Sequence, residues 1–185
     1  MSLPPHDLTS LQSAVRSGAR PKFLFFWGHT PRAPGRIGPE CLSQWYPAPF
    51  ELQGLRFPTA EHYMMHRKAL LFADRDLAEQ ILRAPSPGAA KSLGRSVRGF
   101  VEALWTRHRR DIVTDGNLAK FSQSTKLREY LATTRRRVLV EASPLDRVWG
   151  IGLPADDEGA KDPLKWRGLN LLGFALMDVR DRLAE

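Results

Sequence analysis

The stretch FPTAEHYMMHRKA, residues 57–69, predicts the end of a strand, a turn and the start of a helix. Pro58 stops the preceding strand because it has no backbone N–H and a fixed φ. Thr59 is a favourable N-cap because its hydroxyl accepts hydrogen bonds from the first free amides of a helix. With 3.6 residues per turn, Glu61 and Lys68 then project from the same face, roughly two turns apart.

The pair Glu61 and Lys68 has two interpretations. A carboxylate in the first turn is favoured by the helix dipole, and a lysine two turns later is commonly a surface residue. Alternatively, Glu61 is an acid/base carboxylate and Lys68 is an amine placed close to the same reacting group. The residues of this helix alone leave both interpretations open.

The composition predicts one domain with a substantial core. The chain has 185 residues, of which 42% are hydrophobic. It carries 28 Lys and Arg against 20 Asp and Glu, a formal net charge of +8. This excess favours an anionic partner such as nucleic acid, a nucleotide or a phosphorylated metabolite. The basic runs at 107–110 and 135–137 are either solvated faces or contacts for phosphates.

Several classes of protein are disfavoured. No apolar run approaches the length of a membrane span, and the first residues lack the basic and apolar regions of a signal peptide. The single cysteine, Cys41, excludes an internal disulfide and a thiolate-rich zinc site. We therefore expect a cytoplasmic protein.

The hydrophobic pattern predicts a mostly helical α+β fold with a few short strands. An N-terminal arm and short helix occupy residues 1–20, and residues 21–185 form the main domain. Helices are predicted at 8–16, 59–82 with a division at Asp74, 86–93 ending at Gly94, 100–121 with a break at Gly116, 125–133 and 170–183. Strands are predicted at 23–27 and 138–140, with a hairpin at 51–57 and mostly loop at 142–167.

Familiar cofactor and metal motifs are not present in the sequence. The run Trp149-Gly-Ile-Gly152 lacks the third glycine of a dinucleotide-binding loop. His62 and His66 have the spacing of two metal ligands on a helix, but Glu61 precedes His62 rather than following it as zincins require. We expect no metal.

A set of polar residues near glycine turns and tryptophans remains as candidate chemistry: Glu61, Lys68, Arg95, Lys120, Asp146 and Asn170. The run Gly168–Asn170 either presents free amides to a phosphate, or Asn170 simply caps the last helix. Trp45 and Trp105 are interpreted either as core residues or as walls on which a base stacks.

Taken together, these residues resemble the NADAR family, also called YbiA-like. The resemblance covers the chain from about residue 23 to its end and rests on these runs: FWG at 26–28, SQWYP at 43–47, TAEHYM at 59–64 followed by Lys68, AKSLGR at 90–95, Trp105, AKFSQ at 119–123, LVEASP at 139–144, Asp146, WGIG at 149–152 and WRGLNLLG at 166–173. One departure is Gln44, where many relatives carry asparagine.

The resemblance implies a small, mostly helical α+β domain with N-glycosidase activity. Family substrates join a ribose C1 to an exocyclic amine, with phosphate beyond the sugar. On this resemblance Glu61 is the general acid/base, Asp146 activates water or steadies positive charge at C1, and Lys68 or Lys120 captures the opened ribose as a Schiff base. The remaining positions expected to bind substrate are Phe26, Trp27, Gly28, Trp45, Arg95, Trp105, Lys120, Trp149, Gly152, Gly168 and Asn170.

Three functions follow as hypotheses. The basic surface favours an enzyme that removes ADP-ribose from ADP-ribosylated guanine in nucleic acid. The same chemistry fits phosphoribosylamino-pyrimidine intermediates of riboflavin biosynthesis, which need no basic surface. A non-catalytic module that binds ADP-ribose or NAD-derived nucleotides is the third, and Glu61, Lys68 and Asp146 argue against it. No cofactor and no membrane partner are expected.

Overall fold

Helices make up most of the regular structure. The computed structural model describes residues 5–31, 33 and 35–185. Residues 1–4, where the predicted N-terminal arm begins, lie outside the described residues. Within them the helices are α1 (Leu8–Arg16), α2 (Ala60–Leu71), α3 (Arg75–Leu82), α4 (Pro87–Arg95), α5 (Glu102–Ser122), α6 (Thr125–Thr133) and α7 (Leu171–Arg182). Short 3-10 turns lie at Pro39–Leu42, Glu158–Lys161 and Pro163–Lys165.

The strands are few and short, as predicted. They are β1 (Phe23–Phe26), β2 (Phe50–Leu52), β3 (Leu55–Phe57) and β4 (Val138–Glu141). β2 and β3 form an antiparallel hairpin, and β1 pairs with β4 in parallel. The predicted mostly helical α+β fold is therefore confirmed.

Residues 44–124 form one compact unit built around α2. The α2 helix packs against α3, α4, α5 and the hairpin. It begins where the sequence predicts, since Thr59 is extended and its Oγ1 accepts from the backbone N of His62 at 3.4 Å. Phe50, Phe57 and Tyr63 form an aromatic core beneath it.

The described residues before 44 form a second compact unit with residues 125–185. Its centre is the β1–β4 pair, in which Phe23 faces Val138 and Phe26 faces Glu141. Helix α7 packs on β4, and most of its side chains are buried. Cys41 lies fully buried in this unit.

Two predicted helix ends are wrong. Gly94 lies inside α4 rather than after it, and Gly116 lies inside an unbroken α5. A Cβ at Gly94 would overlap Met65, and a Cβ at Gly116 would lie 2.5 Å from Cδ1 of Tyr63. Both glycines are therefore sites where α4 and α5 approach α2 closely, not helix caps.

In the part of the chain that the structure describes, every helix is too short or too polar to cross a bilayer.

Candidate active site

Glu61 is buried in the first turn of α2. Its side chain is 2% exposed, and its backbone N–H donates to the carbonyl of Gln44 at 3.0 Å. A carboxylate so far from bulk water is not an ordinary dipole-stabilising surface charge, because a buried carboxylate needs compensating partners within the fold. This burial favours the acid/base interpretation.

Two buried amides lie beside the start of α2. Asn117, in the middle of α5, donates from Nδ2 to the Gln44 Oε1 at 2.7 Å and to the Val113 carbonyl at 2.8 Å. These two bonds fix the orientation of both amides. Gln44 Nε2 and Asn117 Oδ1 are left without a hydrogen-bond partner among the described residues. Gln44 thus joins α5 to the backbone of Glu61.

Lys68 lies two turns after Glu61 in a half-buried aromatic site. Its Nζ donates to the Gly94 carbonyl at 2.8 Å and lies 4.4 Å from the ring centroid of Phe100 and 5.6 Å from that of Trp105. Burial lowers the pKa of Lys68, and the negative charge of Glu102 raises it. The net lowering increases the fraction of neutral amine, which is the nucleophilic form.

Lys120 has a different environment. It is 2% exposed near the end of α5, with its Nζ 5.0 Å from the ring centroid of Phe121 and 5.7 Å from that of Tyr46. Its burial contrasts with the partly open position of Lys68. Of the two predicted amines, Lys68 is therefore the more exposed one.

The other predicted residues of this unit have unequal exposure. Trp105 is 8% exposed and lies beside the amine of Lys68. Trp45 is half-buried, with the Nζ of Lys91 5.8 Å from a ring centroid. Arg95 is exposed in the last turn of α4. Trp105 is therefore a packed residue beside a candidate nucleophile, and its role as a wall on which a base stacks stays a prediction.

Asp146 organises a loop in the other unit. Its Oδ1 accepts from the backbone N–H groups of Val148 at 2.8 Å and Trp149 at 2.7 Å. Its own N–H donates to Ser143 Oγ at 3.2 Å, and its carbonyl accepts from Gly152 at 3.1 Å. One carboxylate oxygen of Asp146 thus stabilises the turn that carries Trp149.

Two of the three amides before α7 are not free, contrary to the expectation for Gly168–Asn170. Leu169 N–H donates to the Arg147 carbonyl at 3.0 Å, and Asn170 N–H donates to the Gly150 carbonyl at 3.1 Å. A Cβ at Gly168 would overlap the Gly150 carbonyl oxygen. Because the two loop segments lie so close together, the amides of Leu169 and Asn170 are already hydrogen-bonded and cannot hold a phosphate.

Asn170 does not cap α7 with its side chain. Its φ is +53°, and its fully buried amide accepts from the Glu141 N–H at 3.0 Å and donates to the Leu139 carbonyl at 2.9 Å. The residue therefore fastens the start of α7 to β4. Asn170 is therefore the N-cap residue of α7, as one of the two interpretations of the sequence has it, but its side chain bonds to β4 rather than to the first amides of the helix.

The FWG run lies at the end of β1. Phe26 is buried, Trp27 is 64% exposed, and Gly28 has a φ of +79° that favours glycine. Gly152, in the loop after Trp149, has a φ of +69° and would place a Cβ 3.0 Å from Arg167. Both glycines are required by the backbone, and their contact with a substrate stays a prediction.

The two histidines of α2 are engaged in packing. His62 bonds through Nδ1 to Thr59 Oγ1 at 2.8 Å and through Nε2 to the Ala84 carbonyl at 3.1 Å. Burial lowers the pKa of both His62 and His66. His66 lies edge-on to Phe57, with ring centroids 5.3 Å apart. Both ring nitrogens of His62 are therefore occupied by the fold.

The structure thus places Glu61, Lys68, Trp105 and Lys120 in the unit built around α2. It also adds residues that the sequence interpretation missed, of which Asn117 and Phe100 are the clearest. A signal for Asn117 existed, since two poor helix formers, Gly116 and Asn117, stand together inside a helical pattern. The sequence predicts a break at Gly116, whereas α5 continues through it and the side chain of Asn117 bonds back to its own helix.

Comparison with known proteins identifies the family. The model of the NADAR domain family matches residues 25–184. The chain is 42% identical over 165 residues to the N-glycosidase R617 of Acanthamoeba polyphaga mimivirus, covering 86% of this chain and 95% of that protein. It is 44% identical over 131 residues to the protein irg-1 of Caenorhabditis elegans, covering 70% of this chain and 62% of irg-1.

Bacterial relatives extend the similarity to a solved structure. The chain is 32% identical over 136 residues to the N-glycosidase YbiA of Escherichia coli K12, covering 74% of this chain and 76% of YbiA. The NMR structure of E. coli YbiA matches with a TM-score of 0.69 and 26% identity, over 90% of this chain and 87% of that one. The names of these relatives support an N-glycosidase function. With the family model covering 25–184, the chain belongs to the NADAR family.

Proposed function

We propose that this chain hydrolyses the bond between a ribose C1 and an exocyclic amine, and that its substrate is ADP-ribosylated guanine in nucleic acid. The observation that carries the proposal is that a buried carboxylate, Glu61, and a half-buried amine, Lys68, lie on the same helix, α2, two turns apart. The relatives named N-glycosidases support the reaction class. The net charge of +8 supports a nucleic-acid substrate.

The reaction begins with departure of the base. Glu61 delivers a proton to the exocyclic nitrogen as the C1–N bond breaks, so that the base leaves as a neutral amine. The electron-poor C1 that results is attacked by the neutral Nζ of Lys68. Opening of the sugar ring then gives a protonated imine between C1 and Nζ.

The second half releases the sugar. Water, deprotonated by the Glu61 carboxylate, adds to C1 of the imine, and the C1–Nζ bond then breaks to return the free lysine. The sugar leaves as its aldehyde, which closes to the hemiacetal. Overall, one water hydrolyses one N-glycosidic bond to give a free amine and a free ribose. The side chains of Glu61 and Lys68 both return to their starting states. In this scheme Asp146 steadies charge at C1 or orients the water, which is also a proposal.

The other residues of the scheme bind the substrate. Trp105 and Trp45 present aromatic area in the unit of α2, and stacking a base on such a ring contributes about 1–3 kcal/mol. Arg95 is exposed at the end of α4, and we propose that it pairs with phosphate. We propose residues 21–185 as the catalytic domain, close to the 25–184 matched by the family model.

The test compares two substrates on three proteins. An oligonucleotide bearing ADP-ribosylated guanine and a phosphoribosylamino-pyrimidine are incubated with the wild type, Glu61→Gln and the control Glu79→Gln, and the released bases are quantified by chromatography. We expect the wild type and Glu79→Gln to cleave the oligonucleotide faster. Glu61→Gln should lose roughly 10²- to 10⁴-fold in kcat while keeping the wild-type Tm, because it loses the proton donor but not the volume.

The possible outcomes separate the hypotheses. Faster cleavage of the phosphoribosylamino-pyrimidine would assign the chain to metabolite N-glycosidases instead. ADP-ribose binding without cleavage of either substrate would make it a binding module. Full turnover by Glu61→Gln would remove that carboxylate from the mechanism.

A further inference from the structure

A cavity of about 210 Å³ lies between α6 and α7, within one compact unit. Its lining residues include the apolar Leu131, Ala132 and Leu183. None of its lining residues belongs to the set assigned to the glycosidase site. The charged lining residues are three arginines, Arg128, Arg135 and Arg180, and one carboxylate, Asp181.

Arg180 is buried with an unused donor. Its side chain is 6% exposed, and burial lowers the pKa of its guanidinium. Nη1 donates to Thr134 Oγ1 at 3.1 Å and to the Arg137 carbonyl at 2.9 Å, while Nε lies 3.2 Å from Asp181 Oδ1. Nη2 has no acceptor within the described part of the chain. A buried charged donor without an acceptor is costly, and an oxyanion would supply one.

Arg135 reaches this cavity at a conformational cost. It follows the end of α6 with a φ of +51°, a left-handed backbone in which glycine or asparagine is usual. A non-glycine residue there costs about 1 kcal/mol. Strain of this kind persists where the surrounding structure holds it in place, and Arg135 is one of the residues that line the cavity.

The charges around the cavity favour an anion. Asp181 is already engaged, since its Oδ2 lies 3.2 Å from His6 Nε2 and its Oδ1 pairs with Arg180. Arg128 donates from Nη2 to the Leu183 carbonyl at 2.7 Å, which fixes its side chain beside the cavity. The lining residues therefore carry three positive charges against one carboxylate that is already paired, together with apolar side chains.

We propose that the cavity between α6 and α7 is a binding site for a phosphate group, either free or carried by nucleic acid. Guanidinium groups match the geometry of phosphate oxygens and bind them in pairs. The lining residues include no aromatic side chain on which a base stacks, so the site recognises the phosphate rather than the base. This proposal is independent of the reaction assigned to Glu61 and Lys68.

The test uses Arg135→Gly, which removes the guanidinium and relieves the strained backbone at once. Binding of inorganic phosphate, and of a short single-stranded oligonucleotide with and without a 5′-phosphate, is measured by isothermal titration calorimetry on the full chain. Arg75→Gln removes one charge from an exposed position on α3 and serves as the control.

We expect Arg135→Gly to weaken phosphate binding about tenfold, the effect of losing one charge-assisted contact, with a Tm equal to or above that of the wild type. Arg75→Gln should bind as the wild type does. If the 5′-phosphorylated oligonucleotide binds more tightly than inorganic phosphate, nucleic acid is the source of the phosphate group. If inorganic phosphate binds equally tightly or more tightly, the ligand is the free ion. The proposal is overturned if no probe binds, or if Arg135→Gly and Arg75→Gln reduce affinity equally.

Discussion

Two opposing effects act on the amine of Lys68: burial lowers its pKa, and the negative charge of Glu102 raises it. If neutral Nζ is the nucleophile, kcat/KM rises with pH as the amine loses its proton, with a midpoint below the usual lysine value of about 10.4. The pH dependence of turnover therefore reports directly on this side chain.

Glu102→Gln should move that midpoint to lower pH. Removing the negative charge leaves burial unopposed, so the pKa of Lys68 falls further and more neutral amine is present at a given pH. The measurement is a pH profile of kcat/KM from pH 6 to about 10, with Glu129→Gln, an exposed residue of α6, as the control. A midpoint that stays in place, or rises, contradicts the assignment of Lys68.

The hydrogen bond between Asn117 and Gln44 predicts a second effect at single residues. Gln44→Asn shortens the side chain and breaks the 2.7 Å hydrogen bond from Asn117. The carbonyl of residue 44, which accepts from the backbone N–H of Glu61, is then no longer held in place by α5. We expect kcat to fall about tenfold to a hundredfold, because small displacements of a catalytic group have large effects on rate.

The double variant Gln44→Asn with Asn117→Gln tests this by exchanging the two lengths. The longer side chain at position 117 compensates for the shorter one at position 44, so the hydrogen bond can form again and most of the lost kcat should be recovered. Wild-type turnover by Gln44→Asn alone would show that the contact is not needed for positioning, and loss without recovery in the double variant would show a merely structural role.

At the scale of elements, the packing of α2 depends on glycines in its neighbours. Gly94→Ala should destabilise the protein by about 1–3 kcal/mol, because the added Cβ overlaps Met65 and a packed core accommodates extra volume poorly. Gly88→Ala, in the same helix, is the matched control. A Cβ there would lie 3.5 Å from Trp45, an ordinary contact, so higher helix propensity should stabilise by up to about 1 kcal/mol.

Urea unfolding of the two variants checks this prediction. Equal effects of Gly94→Ala and Gly88→Ala on the free energy of unfolding would contradict the close approach of α4 to α2.

The same glycines show what the sequence could and could not predict. Local signals were sufficient where one residue decides a boundary, as Thr59 does for α2 and Ser86 for α4. A glycine that ends a helix and a glycine that makes room for a neighbouring side chain look identical in sequence. The sequence therefore predicts a helix end at Gly94 and a break at Gly116, whereas both residues lie inside helices. The sequence likewise does not show what the side chain of Asn170 contacts, since its left-handed backbone and its bonds to β4 depend on tertiary contacts.

The candidate site could be proposed from residue types in the sequence, but its contacts could not. The TAEHYM run and the following Lys68 make Glu61 and Lys68 candidates, but nothing in the sequence placed Phe100 over the amine or Asn117 against Gln44. These contacts join residues more than 30 positions apart. Free amides at Gly168–Asn170 were expected from a glycine before a helix, whereas the loop at 147–150 consumes those of Leu169 and Asn170.

At the scale of the whole molecule, stability should depend on pH through His6. Its Nδ1 bonds to Asp178, and this contact raises the pKa of His6, while burial lowers it and a second carboxylate, Asp181, raises it. Because the folded pKa is raised, the contribution is complete below the unfolded value of about 6.5 and is lost as pH rises through the folded pKa.

Chemical denaturation at acidic and alkaline pH measures this contribution. His6→Gln should destabilise the protein at pH 5.5 and have a smaller effect at about pH 9. A destabilisation that is equal at both pH values, or larger at the alkaline one, would show that the charge of His6 does not tie the start of the chain to α7.

The central claim is that one face of α2 carries both the acid and the amine that break the sugar–nitrogen bond. Borohydride added during turnover reduces an imine to a stable amine, and peptide mass spectrometry locates the bound sugar. We predict that the reduced adduct lies on Lys68 and is absent in Lys68→Met, which should also lose turnover. Turnover at the wild-type rate by Lys68→Met, or an adduct located only on Lys120, would contradict the claim.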